Sequence, residues 1–127
     1  MKLIFDADFA LYVFDRGELI AVDKNERWPA VTGPWGKGAA PPGEYMIQKA
    51  TRLKDCKKNR PYRDKAGNVW FAKLTPTFET DRTGLGIHPD GNVPGTLGCV
   101  GVTCDDTSAL FALLTTKTPV ARVLYIL

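Results

Sequence analysis

The chain has 127 residues, 44% of them hydrophobic and 24% charged, the balance of one ordinary globular domain. Such a chain buries about two-thirds of its unfolded surface and needs neither metal nor disulfide to hold a core. Collagen-like, disordered and repeat classes are excluded, and a net charge of +3 is too mild to name a polyanionic partner.

Residues 2–5 are predicted as a strand, and residues 11–14 and 19–22 as a β-hairpin closing at Arg16-Gly17. Between residues 28 and 43 the sequence fills with Pro29, Gly33, Pro34, Gly36, Gly38, Pro41, Pro42 and Gly43. That composition predicts a loop with neither helix nor central strand. Residues 45–47 follow as a short strand. Residues 52–65 then carry seven basic residues (Arg52, Lys54, Lys57, Lys58, Arg60, Arg63, Lys65) against two acids, a local charge of +5 that leaves −2 for the remainder.

A turn cluster at residues 64–68 leads into a strand at 69–74. Residues 84–88 are predicted as a short strand entering a Gly/Pro loop at 89–95, and residues 99–102 as a further buried run. Asp105 and Asp106 stand where carboxylates cap a helix, predicted over residues 109–114. Pro119 stops any continuation, and residues 120–127 supply a last strand. The expected architecture is one domain over residues 1–127, mostly β, with one C-terminal helix before the last strand.

Met1-Lys2-Leu3-Ile4-Phe5-Asp6 reaches an acid after three apolar residues, so no signal-peptide core is expected there, and no stretch has the length of a membrane span. Synthesis in the cytoplasm without membrane insertion is the expectation, so action outside requires release or secretion. Three cysteines, Cys56, Cys99 and Cys104, cannot all pair within one chain, which leaves at least one free thiol.

His88 is the only histidine and lies eleven positions before Cys99 across a glycine-rich loop. An imidazole within reach of a thiol makes it a nucleophile at neutral pH, and Gly98 leaves room for backbone N–H groups to meet an oxyanion. A structural role for both residues is the alternative. So is a zinc site of His88, Cys99 and Cys104, which has no standard ligand pairing. Cys104 reads as a small apolar group before the helix, and Cys56 as incidental.

The order of segments carries more. Ala10-Leu-Tyr-Val-Phe-Asp-Arg-Gly-Glu-Leu-Ile20, Thr32-Gly33, Ala40-Pro-Pro-Gly-Glu-Tyr-Met-Ile47, Gly86-Ile-His88 and Thr96-Leu-Gly-Cys-Val100 together resemble the YkuD-type L,D-transpeptidase catalytic domain. The helix around residues 109–111 and Thr118-Pro-Val120 resemble its close. The resemblance implies a mostly β, sandwich-like fold and a Ser-His-Gly-Cys-type signature. By it, Cys99 is the nucleophile, Gly98 the glycine before it, Thr96 the hydroxyl residue that opens the signature, and His88 the base. Leu97 stands where the signature has histidine, Gly101 where an arginine is common, and Pro89 in place of the glycine after the base. Arg82 or a residue of the basic segment is the candidate to replace the arginine.

What the resemblance implies is a cysteine acyl-enzyme acting on L,D peptide bonds of peptidoglycan stem peptides, with no cofactor and no metal. Hydrolysis, as in a phage lysis enzyme or secreted effector, is expected over cross-link synthesis. A delivery machine or cognate inhibitor is a conceivable partner. A catalytically inactive wall-binding module is the alternative. Thr96, Arg82, Tyr45 and Trp35 are the expected substrate contacts, and Trp35, Tyr45, Tyr62, Trp70 and Phe78 lie in or beside the loops near the site, with Trp70 and Phe71 also open to a packing role. The basic segment is read either as a holder of anionic stem carboxylates or wall polymers, or as a solvated loop. Only Tyr62 interleaves its charges, where single-stranded nucleic acid needs several stacking aromatics, so no nucleic-acid partner is expected.

Overall fold

Period-two alternation of apolar residues dictates the architecture. The computed structural model describes residues 2–8, 15–91, 95–115 and 123–127. Its strands are β1 (Lys2–Asp8), β2 (Asp15–Ala21), β3 (Glu26–Thr32), β4 (Gly43–Ile47), β5 (Thr51–Arg52), β6 (Trp70–Pro76), β7 (Gly86–Pro89), β8 (Val100–Val102) and β9 (Val123–Ile126). The helix α1 (Ser108–Thr115) precedes β9, and 3-10 turns cover Val22–Lys24 and Lys57–Tyr62. No helix among the described residues is long and apolar enough to cross a membrane.

The sheet runs β4-β9-β1-β2-β3-β8-β7-β6, and β4 pairs with β6 to close it into a barrel, with β5 appended to β6. The mostly β class with one helix before the last strand is as expected. The two layers of a sandwich are replaced by a sheet closed on itself. Leu3 and Phe5, Leu19 and Ala21, Trp28 and Ala30, Trp70 and Ala72, Val100 and Val102, and Leu124 and Ile126 alternate inward and are buried. Alanines beside two tryptophans let the barrel interior fill without overpacking. Leu110 and Leu114 of α1 join the same core.

Most pairs are antiparallel, but β1–β9 and β7–β8 are parallel, the latter with Ile87 beside Val100 and His88 beside Gly101. Parallel neighbours cannot be joined by a tight turn. The chain must return from the end of β7 to the start of β8, and the end of that return carries Cys99.

Two expectations need correction. Arg16-Gly17 is no turn, because Gly17 lies inside β2, beside Ala7 of β1 and Ala30 of β3. The reversal seen among the described residues is the next one, at Val22–Lys24 between β2 and β3, closed by Asn25 in the left-handed region at φ 52°, a conformation asparagine tolerates. Residues 28–32 are not loop: they belong to β3, a central strand between β2 and β8. Pro29 is accommodated because its carbonyl, and hence its nitrogen, faces the β8 side just beyond that short strand, where it accepts the Thr103 N–H at 2.9 Å. No ladder donor is missed there. The predicted hairpin strand at 11–14, Pro119 and residues 120–122 lie outside the described residues.

The start of α1 is held by two carboxylates. Asp106 Oδ1 accepts the Ser108 N–H at 2.9 Å, as expected of a capping aspartate. Asp64, from the basic segment, accepts both the Thr107 N–H and the Thr107 hydroxyl at 2.8 Å. Trp70 Nε1 donates to that same hydroxyl at 2.8 Å, so core, helix and basic segment meet at Thr107. Asp105 faces Lys65 at 3.6 Å instead of capping.

Candidate active site

Strand register brings the two candidate reacting groups to one face. One residue before the Ile87–Val100 pair of the ladder, Cys99 lies beside Gly86, whose N–H hydrogen-bonds the Cys99 sulfur. Side chains two apart in a strand share a face, so His88 and Cys99 lie on the same, outer face of the β7–β8 pair. β7 and β8 are buried on both faces. Ile87, Val100 and Val102 fill the inner side; aromatic and loop residues cover the outer one.

His88 is 4% exposed. Phe71, its cross-strand neighbour, stacks on the imidazole at 6.1 Å between centroids, and Tyr62 meets it edge-on at 4.8 Å. Gly86 makes room for Phe71, since a Cβ there would overlap the Phe71 ring. His88 Nδ1 lies 2.7 Å from the Pro89 carbonyl oxygen. A carbonyl only accepts, so Nδ1 carries the proton and Nε2 keeps a lone pair. Burial, opposed by that hydrogen bond, lowers the imidazole pKa to about 4. His88 is therefore neutral at physiological pH and can accept a proton at Nε2.

Cys99 is half-buried and unpaired, as are Cys56 and Cys104. Its sulfur donates to the Gly84 carbonyl at 3.7 Å. Burial pushes the thiol pKa up, against the pull of the Gly86 N–H and the Arg82 guanidinium. Burial thus favours the neutral form of both groups, the thiol and the imidazole.

Thr96 organises the loop that carries Cys99. Its hydroxyl donates to the Cys99 carbonyl at 2.6 Å and accepts the Gly33 and Gly98 N–H groups, each at 3.1 Å. That exhausts one O–H and two lone pairs. Arg82 is pinned across the same loop: its Nη atoms donate to the carbonyls of Lys37, Gly38 and Ala39 at 2.9–3.3 Å and of Leu97 at 3.4 Å. Gly98 lies under the guanidinium at φ 133°, and a Cβ there would overlap Arg82 Nη2. Only glycine fits both the backbone angle and the space.

The family model of the L,D-transpeptidase catalytic domain, YkuD, matches residues 3–121. The chain belongs to this family. YkuD members are peptidoglycan-active cysteine L,D-transpeptidases. No curated protein and no solved structure matches the chain. Against the YkuD signature, the departure at Gly101 has a structural counterpart. A Cβ at Gly101 would stand 2.7 Å from Asp90 Oδ2 and 3.0 Å from the Thr96 methyl. The Asp90 carboxylate thus occupies the space into which a side chain at position 101 would start. Asp90 is 4% exposed, accepts the Gly95 N–H at 2.9 Å, and is pushed up to about 6 by burial.

The expected substrate contacts fare unequally. Trp35 lies beside the nucleophile loop, its N–H on the Thr96 carbonyl at 3.1 Å and its ring over Gly95. With Leu97, 71% exposed, it forms an apolar rim near Cys99. Arg82 is at the site, but its donors are engaged by backbone. Thr96 is buried with a saturated hydroxyl and offers a substrate nothing. Tyr45 is 0% exposed, its hydroxyl on the Pro41 carbonyl at 2.6 Å and its ring against Phe78, so it is core. Trp70 is core as well, while Tyr62 reaches the site through His88. Among the described residues no group of three His, Cys, Asp or Glu is placed to hold a metal, and Cys104 contacts the Asp106 carbonyl.

Sequence reasoning missed Asp90 and Asp64. The signal for Asp90 was its place two residues after His88, the same strand phase and so the same face. For Asp64 no local pattern existed, because its partners Thr107 and Asn68 are brought to it by the fold.

Proposed function

We propose that the protein hydrolyses L,D peptide bonds of peptidoglycan stem peptides through a Cys99 acyl-enzyme. The reading rests above all on a neutral His88, its Nδ1 committed to the Pro89 carbonyl, on the same face of the β7–β8 pair as Cys99. Nε2 takes the thiol proton as sulfur bonds to the carbonyl carbon at the L-centre. The imidazolium then protonates the departing amine of the D-residue, leaving a thioester. Water next attacks the thioester, giving its proton to Nε2, and sulfur leaves as thiolate to be reprotonated.

The Gly98 N–H is held by Thr96 Oγ1 at 3.1 Å, so an oxyanion at this loop shares that donor or draws on the neighbouring Cys99 N–H. Hydrolysis is favoured over transfer because an acceptor stem must be held, whereas water needs no site. The cation nearest the nucleophile, Arg82, is already occupied by backbone carbonyls. Action in the periplasm or wall, after release or secretion, belongs to the same reading, since the substrate lies there.

The test is incubation with tetrapeptide and cross-linked muropeptides, beside Cys99→Ala, with products identified by mass spectrometry with and without an amine acceptor. Loss of a terminal D-residue or cleavage of an L,D cross-link, absent in the variant, supports hydrolysis. Acceptor incorporation makes the protein a transpeptidase. No product from folded protein leaves a wall-binding module.

A further inference from the structure

Two aromatic rings stand between the only histidine and water. His88 is 4% exposed, and burial, opposed by the Pro89 carbonyl, is what lowers its imidazole to about 4. The barrel core backs β7 from inside. Outside, Phe71 stacks on the imidazole at 6.1 Å with 11° between the planes, and Tyr62 meets it edge-on at 4.8 Å and 78°. Tyr62 also meets Phe71 at 5.8 Å and 73°, so the three rings form one cluster. Phe71 belongs to the barrel strand β6. Tyr62 comes from outside the barrel, at the end of the 3-10 turn Lys57–Tyr62, and is itself only half-buried, so its ring separates the imidazole from solvent.

The residues on either side place that ring. Pro61, with its fixed φ, precedes it. Arg63 bridges to Val69, and its carbonyl accepts the Gly91 N–H, just past β7, at 3.0 Å. A Cβ at Gly91 would stand 2.8 Å from that oxygen, so the approach requires glycine. Asp64 is anchored to Thr107. We propose that Tyr62 is a positioning residue for His88: its ring closes the outer side of the imidazole to water and holds it in the orientation in which Nδ1 meets the Pro89 carbonyl. This rests on the reading of His88 as the base. The ring is what matters, and the hydroxyl has no part in it. A hydrated imidazole takes up a proton near ~6.5, whereas a shielded one stays neutral in more acidic surroundings and free to accept the thiol proton. Cys99, Asp90, Lys73 and the charged side chains of residues 57–64 are the ionisable groups on the elements around His88, and a change at Tyr62 leaves each of those charges in place.

The experiment follows ring-labelled histidine by NMR from about pH 3 to pH 8, where a single histidine gives a single signal. The wild type should titrate at about 4 and show a nuclear Overhauser effect between the His88 and Tyr62 ring protons. In Tyr62→Ala, with the melting temperature confirming the fold, the midpoint should rise by about one unit or more, and in Tyr62→Phe it should stay in place. The acid limb of kcat/KM on a muropeptide should rise by the same amount in Tyr62→Ala, a shift that loss of stability alone does not produce. A midpoint unmoved in Tyr62→Ala, an equal rise in Tyr62→Phe, or no ring-to-ring effect in the wild type overturns the proposal, and the last needs no variant. Turnover with an unmoved midpoint refutes the shielding alone. A midpoint that moves in a protein that turns over nothing refutes the enzyme reading and leaves the shielding standing.

Discussion

Replacing Asp64 tests how the basic segment is fastened to the barrel. Its Oδ2 accepts the Thr107 N–H and hydroxyl at 2.8 Å and Asn68 Nδ2 at 2.9 Å, while Oδ1 accepts the Asn68 N–H at 2.8 Å. Burial alone would raise its pKa, but these hydrogen bonds outweigh burial and hold it below the ordinary carboxylate value. Asp64→Asn keeps the shape and loses the charge. With its one oxygen turned to the Oδ2 side, its amide faces the Asn68 N–H, donor against donor. A charge-assisted hydrogen bond contributes about 1.5–3 kcal/mol and an unmet buried donor costs about 1–3. Allowing for relaxation, the variant should lose roughly 3 kcal/mol at neutral pH. A depressed carboxylate pKa gives stability that is present above the unfolded value, near ~3.9, and lost as pH falls through the folded one. The gap between wild type and variant should therefore close in acid. Urea unfolding across that range measures it, with hydrogen exchange reporting loosening of residues 57–65. A loss under about 1 kcal/mol at neutral pH, or a gap that keeps its size in acid, would refute the reasoning.

Other outcomes follow from the same geometry. With His88 lowered to about 4, the acid limb of kcat/KM on a muropeptide should have its midpoint near that pH; a midpoint near ~6.5, the ordinary imidazole value, would mean His88 is not buried in the active form. Asp90, raised to about 6, binds protons more tightly folded than unfolded, so its contribution falls as pH rises from about 4 through that value. Asp90→Asn, which can still accept the Gly95 N–H, should stabilise the protein by about 1–3 kcal/mol at neutral pH and by almost nothing near pH ~4, at about 1.4 kcal/mol for each tenfold difference in proton affinity; denaturant unfolding that finds a loss at neutral pH counts against this. Thr96→Val removes a hydroxyl with three partners and should cost about 2–4 kcal/mol and lower kcat more than KM, while Thr96→Ser restores both. A rise in KM alone would point to substrate contact instead.

The parts of the fold that were readable from sequence are those decided locally. The helix after Asp106, the strand ending in His88 and the run entered from Cys99 each carry their own pattern. Cys99 and His88 stood out as candidates because glycines and a hydroxyl residue surround them in a fixed order. Pro29 misled because proline is judged by what it removes, and here the β8 side of β3 ends where its donor would have been needed. Gly17 misled because a glycine inside a strand looks like a turn until both neighbouring strands are known. Tyr45 was assigned to substrate by its place beside a Pro/Gly loop, yet β4 phase turns it inward. The work of Thr96 and Arg82 was hidden for another reason. Their partners are main-chain groups, which every residue offers, so no residue type announces them.

Main-chain restraint also explains how this site can dispense with a signature arginine. The nucleophile loop is fixed by a saturated threonine hydroxyl and by a guanidinium shared among carbonyls, and neither needs a side-chain partner. Arginine at 101 would have to displace the Asp90 carboxylate, which itself secures Gly95. The engagement of Arg82 by main-chain carbonyls bears on reactivity. A guanidinium free to face the sulfur would favour thiolate, the form that peroxides oxidise. With Arg82 turned to backbone, burial prevails and the thiol stays protonated. A wall-acting enzyme works outside the reducing cytoplasm, where a resting thiolate is a liability. On the proposed acyl-enzyme reading, ionisation is deferred until substrate excludes water and His88 accepts the proton, which spares the Cys99 thiol between turnovers.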